Sequence, residues 1–119
     1  MDESILNSIK AMMGGNLSGD DTTFDAELLP IINMALNTLV QLGAGPSQGY
    51  KVTGSENKWS EFIGDDDMLE MVKEYVLLKT KLLFDNSTVS GSVIEIYKLQ
   101  IQELEFRIQC RVDPITTFK

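Results

Sequence analysis

Residues 68–85 read MLEMVKEYVLLKTKLLFD, and the fold turns on how this stretch is interpreted. Eleven of its eighteen residues are apolar or aromatic. Met68, Val72, Tyr75, Val76, Leu82 and Leu83 recur at the i, i+3, i+4, i+7 spacing of a helix. A second row, Leu69, Val72, Val76 and Leu83, runs beside the first. The apolar stripe is therefore wider than the roughly 100° of a helix resting on a surface. Glu70, Lys73, Glu74, Lys79 and Lys81 fill the narrow remainder. Such a helix needs partners on more than one side, so it reads as the hub of a helical domain.

The chain around it has 119 residues, enough for one domain (1–119) that hides roughly two-thirds of its unfolded surface. Hydrophobic content of 43% and charged content of 24% are ordinary for a globular protein. A net charge of −8 argues against binding nucleic acid by neutralising phosphates, and no run of Lys or Arg makes a local exception. The single cysteine, Cys110, allows no internal disulfide and fits a reducing compartment. No apolar run approaches the roughly 20 residues of a membrane span, and the acidic start MDESILNSIK is unlike a secretory signal. Synthesis in a cytosol, with no membrane partner, is the expectation.

Upstream of the hub, residues 3–13 put Ile5, Ile9 and Met12 at helical spacing behind a cap at Asp2 or Ser4. Gly14 and Gly15 stop that helix, and a polar connector follows. Residues 23–42 form the next helix, with Phe24, Leu28, Ile31, Ile32, Ala35, Leu36, Leu39 and Leu42 in register. Pro30 is awkward there, because a mid-helix proline removes a backbone hydrogen bond. It is placed in a first or second turn near residues 25–30, with residues 20–23 supplying the cap. Gly43 is the stop, and residues 43–58 make one long irregular loop. Within it, residues 50–53 (YKVT) read as a short extended piece, and Trp59 to Ile63 as one helical turn tucking Trp59 and Phe62 against the core.

Residues 89–110 form the last helix. Placed at about 100° per residue, Val93, Ile94, Tyr97, Ile101, Leu104 and Ile108 make one stripe. Ile96, Leu99, Phe106 and Cys110 fall on nearly the opposite side. A terminal helix needs one apolar face to dock on its own domain, so the second is covered by another protein or by the chain's own 43–58 loop. The candidate interface residues are Ile96, Leu99 and Phe106 on this helix and Tyr50 and Val52 in the loop. The whole reads as an all-α compact bundle of about four helices.

Catalytic equipment is sparse. There is no histidine, the commonest general base at neutral pH and a common zinc ligand. Cys110 has no partner thiol and no histidine to activate it, and reads as a packing residue. Asp65, Asp66 and Asp67 lack the spaced ligand pattern of a calcium loop and are expected at the positive end of a helix dipole. The GAGP run at 43–46 follows a helix rather than a strand and lacks the lysine of a phosphate loop. No cofactor, metal or enzymatic activity is expected. Physical reading alone ends at an interaction or structural protein.

Several blocks carry a resemblance: FDAELLPIIN at 24–33, LVQLGAGP at 39–46, WSEFIGDD at 59–66, YVLLK at 75–79, LLFD at 82–85 and QELEFRI at 102–108. In this order and spacing they resemble the small head–tail connector (adaptor) proteins of tailed bacteriophages and prophages, particularly those of Gram-positive hosts. The match runs through nearly all of residues 3–110, leaving out the turn at 12–15. The resemblance implies a virion structural protein that sits in the neck region after synthesis in the host cytoplasm. Its copies would form a homo-oligomeric ring, a dodecamer to match the portal protein above it. Stopper or tail-completion proteins would lie below, and genomic DNA would pass through without being specifically bound. The alternative is an acidic helical regulatory protein, an anti-repressor or an inhibitor that mimics DNA. Mimicry needs carboxylates in a spaced surface row, whereas these acids cluster at helix starts.

Overall fold

Helices form where the apolar periodicity places them. The computed structural model describes residues 3–13, 24–64, 66–84 and 91–112. Along the chain lie α1 (Ile5–Met13), α2 (Asp25–Gln41), α3 (Trp59–Phe62), α4 (Asp66–Phe84) and α5 (Gly91–Val112). The fold is all-α, and α3 is the single turn read around Trp59. Among the described residues, β-type pairing is confined to an isolated antiparallel bridge between Ser4 and Lys58.

The hub is α4. Met68, Val72, Tyr75, Val76, Leu78 and Thr80 are all buried, a spread around the helix that one neighbour could not cover. Three helices do it: α1, α2 and α5 all pack on α4. Two polar atoms enter the core with α4, and each is satisfied, as burial demands. The Tyr75 hydroxyl donates to Glu105 Oε2 at 2.7 Å, and Thr80 Oγ1 donates to the Val76 carbonyl at 2.7 Å.

The first two helices are tied to the rest by specific polar contacts. Ser4 caps α1, its Oγ accepting from the Asn7 N–H at 3.2 Å. Lys10 is 1% exposed, and its Nζ sits 2.8 Å from Asp25 Oδ1, joining α1 to the start of α2. The fully buried Trp59 donates from Nε1 to Ser8 Oγ at 2.8 Å. Backbone bonds Ile5 N–H to Asn57 O (2.9 Å) and Trp59 N–H to Glu3 O (3.1 Å) stitch α1 to the segment before α3.

Pro30 lies in the second turn of α2, where its missing N–H forgoes one bond near the helix start. Phe24 holds the N-cap position with its carbonyl alone, accepting from Glu27 and Leu28, and no side chain bonds there. The expected cap at residues 20–23 lies outside the described residues. At the other end, Gly43 N–H donates to Val40 O at 3.0 Å and Ala44 N–H to Leu39 O at 2.9 Å. This is a Schellman ending, with Gly43 at φ +101°.

Gly43 also faces α5. A Cβ added there would stand 2.6 Å from Val112 Cγ1. Gly43→Ala should therefore lower stability through both the left-handed backbone and the clash, by about 1–3 kcal/mol in all. Adding Val112→Ala should recover part of the loss, since it relieves the clash and leaves the backbone strain. Chemical denaturation of the two variants beside the wild type measures both effects.

Candidate protein–protein interface

Four residues were expected on the second face of the last helix, and the structure separates them by exposure. On α5, Ile101, Leu104 and Ile108 are buried against the hub, while Val93, Ile94 and Tyr97 are half-buried along the same stripe. On the other side, Ile96 is 53% exposed, Leu99 64% and Phe106 62%. Cys110 is partly covered. The 43–58 loop does not close over this face, so covering by that loop is corrected. Ile96, Leu99, Glu103, Phe106 and Cys110 follow one another at alternating steps of three and four residues. That is the spacing of a coiled-coil seam, an apolar ridge shaped to meet another helix. Glu103 interrupts it and is held by Arg107 Nη2 at 2.7 Å. Glu95, one turn before Leu99, lies 3.8 Å from Lys98.

The loop residues end up elsewhere. Val52 is 1% exposed and belongs to the core, so it is corrected as a surface contact. The cause is Asn33 on α2. Its Nδ2 donates to the Val52 carbonyl at 3.0 Å, while the Val52 N–H donates to its Oδ1 at 2.7 Å. One side-chain amide thus does for this extended residue what a neighbouring strand would do, and the segment folds down instead of standing free. Tyr50 is half-buried. Its ring packs edge-on against Phe62, centroids 5.7 Å apart, and its hydroxyl donates to Glu61 Oε1 at 2.6 Å. Tyr50 and Val52 therefore belong to the loop and its supports, and Ile96, Leu99 and Phe106 to α5.

A feature that the sequence reading missed lies beside Asn33. Ala26, Leu29, Pro30, Asn33, Lys51, Val52 and Thr53 line an open groove of about 500 Å³ between α2 and the loop. Its walls are largely apolar, with Lys51 exposed at the rim. The one hint was a polar Asn33 set between Ile32 and Met34.

Two tyrosines have shifted acidities. Burial, then the hydrogen bond to Glu61, pushes the Tyr50 hydroxyl up to about 12. Burial, then the bond to Glu105, raises Tyr75 further above the ordinary tyrosine value. Among the described residues, no three His, Cys, Asp or Glu side chains are placed to hold a metal ion. Asp67 is engaged by Arg111 Nη2 at 3.0 Å. No helix among those residues is long and apolar enough to cross a membrane.

The described residues thus form an all-helical fold built on a central helix, with an open apolar ridge on its last one. The chain matches the family model described as phage connector protein over residues 5–114 and belongs to that family, whose role is to connect phage head and tail structurally. No curated protein and no solved structure matches it.

Both tyrosine shifts predict the same alkaline behaviour. A hydroxyl whose acidity is weakened by folding favours the folded state while the unfolded chain keeps its proton. That contribution is complete below about pH 10 and is lost as pH rises toward the folded-state values. Thermal unfolding should be insensitive to these groups from pH 7 to about 9 and steepen above about 10. Tyr75→Phe should cost about 1–2 kcal/mol at pH 7 and remove part of the alkaline slope.

Proposed function

We propose that copies of this chain assemble as a ring beneath the portal, twelve to match it, and extend the DNA channel toward the stopper and tail. The ring sits in the neck of the virion, and its partners are the portal above, tail-completion proteins below and other copies beside. The observation that carries this reading is the phage connector match combined with an apolar face on α5 that the subunit leaves uncovered. A subunit that works alone gains nothing from exposing Leu99 and Phe106. One that joins a larger particle buries them on assembly.

Charge supports the reading. A net charge of −8 per subunit, repeated around a ring, presents an acidic wall to DNA and lets the genome slide without sticking. The regulatory alternative fares worse on the surface carboxylates. Glu3, Asp67, Glu95 and Glu103 each lie within ion-pair distance of a Lys or Arg, which spoils a row of free charges imitating a phosphate backbone.

The direct test is co-sedimentation of the purified protein with DNA-filled, tail-less capsids, using portal-deficient capsids as the control. Saturable binding to portal-bearing particles alone is the expected result. Binding to neither kind of particle overturns the connector reading for that phage system. Replacing Leu99 and Phe106 together with Ser should leave the isolated subunit within about 0.5 kcal/mol of wild type, because both side chains are largely solvated. The same variant should lose capsid binding. Unfolding of the isolated variant would show instead that the pair supports the fold.

A further inference from the structure

We infer that the ridge on α5 of one copy seats in the groove between α2 and the 43–58 loop of the next copy. This rests on the ring reading and names the two faces that would build it. The ridge and the groove lie on different elements of the same chain. α5 and α2 each pack on α4, and no residue is shared between the ridge and the groove lining. A contact between two unlike faces of identical subunits propagates head to tail, and closes into a ring when the rotation per step allows. A contact of the ridge with itself would give a two-fold dimer and stop.

Chemistry favours the unlike pair. Leu99 stands between Glu95 and Glu103, one turn away on either side, and although Lys98 and Arg107 lie beside them on the same helix, both carboxylates stay largely exposed at the edge of the ridge. Ridge against ridge would bring these acids together. The groove offers the complement: walls of Ala26, Leu29, Pro30 and Val52, with Lys51 at the rim. Lys51 has no carboxylate partner among the described residues. Seating Leu99 in the groove brings an acid of α5 toward Lys51, and Met34, 53% exposed one turn beyond Pro30, extends the apolar surface.

The area involved also fits. Ile96, Leu99 and Phe106 expose on the order of 400 Å² together, the size of a large patch on a monomer. A stable pairwise interface buries roughly 800 Å² on each partner. One such contact is therefore too small to hold a free dimer. Each subunit in a closed ring makes two, and a docking platform adds more.

Cross-linking on the capsid tests the pairing. All variants carry Cys110→Ser, and a short bismaleimide joins the introduced thiols. The variant with both Ala26→Cys and Gln102→Cys, the latter an exposed position beside the ridge, bound to portal-bearing tail-less capsids, should give a ladder of covalent multimers. Either single variant alone should stay monomeric, and an equal mixture of the two should stop at dimers. A dimer from Gln102→Cys alone would overturn the inference in favour of ridge on ridge. Capsid binding by the double variant without any ladder would overturn it too, leaving the ring reading intact. Failure of the wild-type chain to bind capsids would overturn both.

Discussion

The structure depends on how Tyr75 is buried. It lies at the centre of α4, fully enclosed, with a hydroxyl that must find a partner inside the core. Glu105 supplies one from α5 at 2.7 Å. A hydrogen bond to a carboxylate is directional and stronger than a neutral one. It therefore does more than satisfy Tyr75, because it fixes the rotation of α5 about its own axis. With Glu105 turned to the hub, Ile101, Leu104 and Ile108 point inward and Leu99 and Phe106 point away. The internal bond and the external face are two consequences of one helix rotation.

Most of the helical layout was legible because it rests on periodicity. The wide stripe of residues 68–85 called for several neighbours, and α1, α2 and α5 are those neighbours. The split of the last helix into two apolar sides was equally plain. The exposure of Ile96, Leu99 and Phe106 follows from it once one side is committed to the hub. Ser4 as a cap and Gly43 as a stop are local chemistry, decided within four or five residues of chain.

What escaped was non-local. Val52 looked like a loop residue available to a partner, and nothing near it in sequence says otherwise. Its burial depends on Asn33, nineteen residues earlier, whose amide happens to face it across the gap between α2 and the loop. The groove beside that clamp exists only because the clamp holds the loop at that distance. Lys10 is similar: a lysine read from sequence belongs on the surface, yet here it is buried with its ammonium on Asp25. Pairings of this kind leave no periodic trace, so only the assembled chain reveals them.

The same physics bears on why a connector subunit has a small open ridge instead of a large one. A large apolar face would be masked by self-association before the subunit met its site. Like-charged subunits, each at −8, also repel one another in solution. Both effects weigh against association of free copies. A platform that binds several copies side by side reverses the balance, because the second contact of each subunit then forms at high effective concentration. In the proposed ring, weak faces and a strong net charge would thus tie assembly to the place where the ring is needed. The rotation of α5 set by Tyr75 and Glu105 determines which residues those weak faces contain.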